Sequence, residues 1–252
     1  MQKVELLAVP GLPMVEAGDD LAQLIGERLT GELALRKDDV LVLAQKIVSK
    51  AEGRMVEIAT VKPSQRAIDL AAEVQKDPRL VELILSESVR VVRSRPNVLI
   101  VEHRLGFIMA NAGIDQSNVS EPSRECALLL PEDPDSSARG LHERLAVLSG
   151  SEVGIVISDS FGRPWRLGTV GVAIGCAGLP AIIDLRGRRD LYGRPLRVTT
   201  VGHADEIASA ASILMGQADE AQPVVLIRGL AAKAPAQPAV ALIRSAQEDL
   251  FR

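Results

Sequence analysis

Val89-Arg90-Val91-Val92-Arg93-Ser94-Arg95-Pro96-Asn97-Val98-Leu99-Ile100-Val101-Glu102-His103-Arg104-Leu105-Gly106-Phe107-Ile108-Met109-Ala110 reads as consecutive strands with no helical stretch between them. A doubly wound sheet needs a helical crossover between parallel neighbours. The stretch therefore predicts an α+β fold with mixed, largely antiparallel sheets. Further β-branched runs, Val40 to Leu43 and Val153 to Ile157, add strands on either side.

Helix starts lie between them. Asp19-Asp20 precedes Leu21, Leu24 and Ile25, Pro63-Ser64 precedes Ile68 and Ala71, and Asp77-Pro78 precedes Leu80, Leu83 and Ile84. In the last, Asp77 accepts from free amides while Pro78 sits in the first turn, where its missing N–H costs nothing. Asp133-Pro134-Asp135 opens a helix to about Leu148, and another covers Asp205 to Met215. Beyond Gly229, Ala231-Ala232-Lys233-Ala234-Pro235-Ala236-Gln237-Pro238 reads as a linker, followed by a short amphipathic helix ending at Phe251; this tail is expected to be dispensable. No internal repeat is present.

Composition narrows the function. The 252 residues are 47% hydrophobic but only 2% aromatic, so the core is aliphatic and offers little surface for stacking bases. The net charge of −4 disfavours nucleic acid, yet Arg163 to Arg197 holds seven arginines against two acids, a local excess of five positive charges suited to a small polyanion. Cys126 and Cys176 are far apart and unaccompanied by His, so they read as buried thiols in a reducing cytoplasm. The N-terminus is too short and broken for a secretion signal, and the uncharged run Leu167 to Ile183 is too short and glycine-rich to span a membrane.

The familiar phosphate-loop, dinucleotide, serine-hydrolase and zincin motifs are absent, so any nucleotide site is of another kind. Ala110-Asn111-Ala112-Gly113-Ile114-Asp115-Gln116-Ser117-Asn118 gathers oxygen donors in a glycine-hinged loop, which suits a hard cation and equally suits an Asn/Asp-rich turn. Ile157-Ser158-Asp159-Ser160-Phe161-Gly162-Arg163-Pro164-Trp165-Arg166 reads as a strand ending in a carboxylate and a hydroxyl, then a turn that presents arginines, a composition fit for a metal–phosphate site. Were Asp115 and Asp159 to converge, two carboxylates ~4 Å apart would repel by about 4 kcal/mol, and a divalent cation would reverse the sign. Lys46 and Lys50, four residues apart, fit a solvated helix face or a phosphate contact, and Met215-Gly216-Gln217 alone is an ordinary helix end. His103, His142 and His203 are scattered and carry no ligand spacing.

Taken in order, Gly11-Leu12-Pro13, Gln45 to Gly53, Ala110 to Asp115, Asp159 to Arg166 and Met215-Gly216-Gln217 resemble the coenzyme F420 gamma-glutamyl ligase family. The resemblance spans roughly Leu12 to Gly229. It implies a family-specific mixed fold, an intertwined homodimer, and a GTP-dependent ligase that joins L-glutamate to a coenzyme F420 precursor through an acyl phosphate. It implies two divalent ions, Mg²⁺ or Mn²⁺, with K⁺; Asp115 and Asp159 would hold one ion, Ser160 and Gln217 the other. It places GTP against Leu12, Pro13, Met14, Val15, Gln45, Lys46, Lys50 and Asn118, and against Met215, Gly216, Gln217, Ala218, Asp219, Glu220, Ala221 and Gln222. Arg163 and Arg166 are our own expectation for catalytic charge stabilisation. Ser160 stands where threonine is common, which keeps the hydroxyl, whereas Ala221-Gln222 departs from the small residues expected there. Residues 1–229 would then form the ligase domain, as one unit or two subdomains, with 230–252 as linker and short helix. A metal-dependent phosphoester hydrolase and a non-catalytic binder of a phosphorylated ligand are the alternatives.

Overall fold

A computed structural model of the chain describes residues 3–119, 125–230, 234–245 and 247–249. In chain order the elements are β1 (Glu5–Ala8), α1 (Leu21–Gly26), β2 (Val40–Ala44), α2 (Gln45–Ala51), β3 (Met55–Glu57), α3 (Gln65–Val74), α4 (Pro78–Ser86), β4 (Ser88–Arg95), β5 (Val98–His103), β6 (Ile108–Ala110), β7 (Cys126–Leu128), α5 (Pro134–Ser149), β8 (Gly154–Arg163), β9 (Arg166–Ala177), β10 (Ile182–Asp184), β11 (Thr200–Gly202), α6 (His203–Met215) and β12 (Val224–Arg228). The α+β expectation holds: among the described residues, only the pairing of β2 with β8 is parallel. No described helix is long and apolar enough to cross a membrane.

The main sheet runs β1-β12-β2-β8-β9. Its central strands are apolar on both faces because both faces are covered. On one side Leu41, Leu43, Ile155 and Ile157 meet Ile25 of α1 and Leu141 and Leu145 of α5. On the other, Val42, Val156 and Val225 meet Ala204, Ile207, Ala208 and Ala211 of α6. Each fully buried Leu or Ile here contributes roughly 1.5–3 kcal/mol. The alanine stripe lets α6 lie close: a side chain on Gly171 would run into the Ala208 carbonyl.

The strands that decide the class form a separate sheet, β4-β5-β6, with α3 and α4 packed around Leu99 and Val101. The expected caps are present: Asp20, Ser64, Asp77 and Asp133 each accept a backbone N–H at the start of their helices. α6 begins at His203, two residues before the expected Asp205.

Two expectations are corrected. Asp159 does not end its strand, because β8 runs on to Arg163 and turns directly into β9, forming a long hairpin. The stretch after Gly229 is held in place where described. Asp135 accepts from Ala239 N at 2.7 Å, Val240 N at 3.0 Å and Cys176 N at 2.9 Å, and a 3₁₀ turn, Ala239–Leu242, replaces the expected amphipathic helix there. Ala231, Ala232 and Lys233 of the linker, and Phe251, lie outside the described residues.

Candidate active site

The site starts at a β-bulge. Ile157 pairs with Gly175 but Ser158 pairs with Ala173, so Ile174 is an extra residue that bends the hairpin away from the sheet one step before Asp159. Adjacent strand residues point to opposite faces. Asp159 therefore shares the face of Ile157, toward α2, while Ser160 points toward α6.

On the first face, burial pushes the Asp159 carboxyl up, and the negative Asp115 pushes it further. The Ser160 amide, Lys46 and Gln45 oppose this, and the group settles at about 7. Gln45 is buried and oriented by Ser49, whose hydroxyl donates to its Oε1 at 2.8 Å. Its Nε2 has no well-formed hydrogen bond, leaving a buried donor beside a carboxylate that lacks compensation. Asp115 is better served: Lys46 Nζ lies 2.7 Å from Oδ2, and the Ser117 N–H and hydroxyl each donate to Oδ1 at 2.7 Å. Burial acts to raise its pKa, but Lys46 and Ser117 hold it below the usual carboxylate range. Lys50, one helical turn beyond Lys46, donates to the Asn118 carbonyl at 3.0 Å, and burial followed by its lysine neighbour lowers its pKa. The preceding loop is strained: Asn111, Ala112 and Gly113 take left-handed φ of 53°, 53° and 67° in succession, a conformation that concentrates at working sites.

On the second face, the Ser160 hydroxyl donates to Gln217 Oε1 at 2.7 Å. Gln217 follows Gly216, whose φ of 69° and ψ of −170° suit only glycine, and a side chain there would collide with the Glu220 carboxylate. Glu220 in turn accepts from Ala218 N at 2.8 Å, and Asn118 Nδ2 donates to the Ala218 carbonyl at 2.8 Å. Asn118 thus ties the lysine side of the site to the turn after α6. Ala221 takes a left-handed φ of 52°, and the Gln222 Oε1 is buried without a partner.

The four oxygen-bearing residues fall into two separate pairs. Asp115 with Asp159 is a hard carboxylate donor set in which Asp159 has no ion pair of its own, which fits a divalent cation. Ser160 with Gln217 offers neutral oxygens, which hold a cation only together with an anionic ligand. Among the described residues no group of three or more His, Cys, Asp or Glu is placed to hold a metal ion.

Other expected residues are less central. Leu12 packs on the core, Pro13 and Met14 are exposed, and Val15 is buried. Their loop runs past the end of α2, where Gly18 N donates to the Ala51 carbonyl at 2.8 Å. Asp219 is exposed. Arg163 and Arg166 stand at the hairpin tip, four residues and so about 13 Å of strand beyond Asp159, where the sequence had suggested a tight turn beside it. The cysteines are buried and unpaired as expected, and burial pushes the Cys176 thiol up to about 12, so it is inert. Ser49 escaped sequence reading, and Ser117 was read as one oxygen donor of its loop without its partner Asp115. The signals were present: Asp-x-Ser is an Asx-turn spacing, and Gln45 and Ser49 are one helical turn apart.

Fold and site together define a layered α+β protein that sets Asp159 and Ser160 on opposite faces of one strand, with Asp115 and two lysines beside the first and Gln217 beside the second. A family model described as F420-0:Gamma-glutamyl ligase matches residues 11–229, and the chain belongs to this family of ligases. It is similar to the coenzyme F420:L-glutamate ligase of Methanothermobacter thermautotrophicus, 47% identical across 99% of both chains. The proteins of the same name from Methanopyrus kandleri, 48% identical over 97% of this chain and 96% of the relative, and Archaeoglobus fulgidus, 43% identical over 99% and 97%, are similar along nearly their whole length.

Proposed function

We propose that this protein adds L-glutamate to the coenzyme F420 precursor at the expense of GTP, forming an amide by way of an acyl phosphate. The observation that carries the reading is the undercompensated Asp159 beside Asp115 and the two lysines, within a chain related end to end to F420:L-glutamate ligases. A carboxylate is too poor an acyl donor to meet an amine at neutral pH, so it must be activated. Its oxygen attacks the γ-phosphorus, the bond to GDP breaks, and the acyl phosphate forms; the glutamate amine, once its ammonium proton is lost to water, displaces phosphate. Lys46 and Lys50 face the nucleotide phosphates as point charges. Asn118 and the turn from Met215 to Gln222 position the nucleotide, and Gln45 orients Asp159. Divalent ions held by Asp115 and Asp159, and by Ser160 and Gln217 together with phosphate, would supply neutralisation of charge on the attacking and leaving oxygens, with K⁺ as a supporting ion. The preference for GTP rests on family likeness.

Mass spectrometry of the coenzyme precursor incubated with protein, GTP, Mn²⁺ and L-glutamate tests this. Gains of whole glutamyl units that require both GTP and metal are expected; GTP consumption without any gain would instead indicate a hydrolase.

We also propose a homodimer as the working unit. Trp165, Leu167, Leu191, Tyr192 and Val198 are each at least 84% exposed on the hairpin tip and the arginine-rich segment after β10, an apolar surface suited to a second copy. Light scattering at micromolar concentration is expected to give twice the chain mass, and a monomer would sink the idea.

A further inference from the structure

β9 is the outer strand of the main sheet, so one of its edges has no strand to pair with. Two β9 amides, one on each side of the bulge residue Ile174, are met by carboxylates. Asp205 Oδ1 accepts from Ala173 N at 2.9 Å, and Asp135 Oδ1 accepts from Cys176 N at 2.9 Å. Asp205 lies in the first turn of α6 and Asp135 in the first turn of α5, helices that cover opposite faces of the sheet.

The strand is built to admit both helices. A side chain on Gly175 would run into the Pro134 carbonyl, as one on Gly171 would into that of Ala208, so a glycine on each side of the bulge lets a helix come up against the backbone. Asp205 is held there at a cost. Burial raises its pKa, the Ala173 amide opposes this without cancelling it, and among the described residues no ion pair compensates the charge. Protection of a sheet edge needs no particular place along a strand, whereas these two bonds bracket the one residue that bends the hairpin. Ala173 stands opposite Ser158, and its neighbour Val172 stands opposite Asp159. A bulge re-aims the side chains beside it, and the first to follow this one on β8 toward α2 is Asp159.

We infer that Asp135 and Asp205 are positioning residues: from the two faces of the sheet they hold the β9 bulge, and so aim Asp159 at the cation it shares with Asp115. The inference rests on the ligase reading above for that cation. Asp135 Oδ1 also accepts from Ala239 N at 2.7 Å, so the C-terminal tail is fastened to the same clamp.

The test compares full-length Asp135→Ala and Asp205→Ala with Asp135→Asn and Asp205→Asn, whose amide oxygen can still accept the β9 N–H. Leucine at either position, which fills the space without an acceptor, stands in for an alanine variant that does not fold. Mn²⁺ affinity is measured by electron paramagnetic resonance, turnover as a function of Mn²⁺, and amide hydrogen exchange of metal-free protein across Ile157 to Gly162 of β8. We expect the alanine variants to bind Mn²⁺ about tenfold more weakly or worse, as for other residues that orient a metal ligand. Their KM for Mn²⁺ should rise in step while kcat at saturating metal stays near the wild-type value, exchange along β8 should quicken, and the asparagine variants should behave like wild type. Unchanged Mn²⁺ affinity in the alanine variants would overturn the inference. So would asparagine variants as impaired as the alanine ones, since charge and not the clamp would then be responsible. A wild type that binds no Mn²⁺ would sink the metal reading instead, and β8 exchange would then decide alone: quicker with alanine and not with asparagine upholds the clamp, no change overturns it.

Discussion

Asp159→Asn is expected to lower ligase activity by a factor on the order of 10³ or more while leaving the fold intact, because the amide keeps the shape and loses the charge that attracts a cation. Retention of a tenth of wild-type activity would sink the assignment of Asp159. The same variant should be more stable than the wild type without metal. The folded-state carboxyl, at about 7, lies above the ordinary aspartate value of 3.8, so ionising it in the fold is unfavourable. Wild-type stability should fall as pH rises through the interval from about 4 to 7 and then level off, at a cost of up to ~4 kcal/mol. The variant lacks that loss. Calorimetry without metal at pH 8 should therefore find the variant melting several degrees higher, with little difference at pH 4, and added Mg²⁺ should stabilise the wild type alone. A variant that melts lower at pH 8 would mean that the carboxylate is satisfied by the protein itself.

Glu87→Ala should give the largest loss of stability. Glu87 ends α4 beneath the small sheet, with Arg54 at 3.0 Å, Arg104 at 3.0 Å and the buried His103 Nε2 at 3.5 Å. The His103 Nδ1 accepts the Leu105 N–H, which turns the Nε2 edge of the ring toward Glu87. Burial alone would raise the Glu87 pKa, but His103, Arg54 and Arg104 outweigh it and hold the carboxyl at about 2. Removing the shared anion strands its buried and partly buried partners, a change that costs about 3–5 kcal/mol and on the order of 10 °C in Tm. With the folded pKa below the ordinary glutamate value of 4.5, the ionised group stabilises the wild type above that pH, and the contribution drains away between about 4.5 and 2. Denaturant titrations at pH 6 and pH 3 should show the gap between wild type and variant narrowing in acid; a constant gap would mean that packing, not charge, is what Glu87 supplies.

Much of this architecture was legible in the sequence, for local reasons. The caps at Asp20, Ser64, Asp77 and Asp133 announce their helices because a side chain satisfies amides only a few residues away. The run from Val89 to Ala110 announces its sheet because strand neighbours follow one another in sequence. β9 did not announce itself: its glycines at 171 and 175 look like breakers until α6 and the start of α5 are seen to need the space. The site was legible as residue types but not as partners. That Lys46 would meet Asp115, 69 positions away, and that Asn118 would reach across to Ala218, depends on how the layers close. The distance of Arg163 and Arg166 from Asp159 along the strands was not legible, because a Gly/Pro sequence signals a turn without saying how far along the hairpin it falls.

The one tryptophan, Trp165, sits 84% exposed at the tip of the β8–β9 hairpin, in a protein whose core is aliphatic. Intrinsic fluorescence is therefore an instrument pointed at the arm and not at the interior. Emission from the indole of a single chain is already red-shifted before any denaturant is added, so an unfolding curve of the separated chain followed in this way would be nearly flat while circular dichroism records the loss of the whole fold. The same blindness to the core makes the indole a clean optical reporter for whatever comes to cover the hairpin: a shift to the blue on concentrating the protein would register contact at the tip alone.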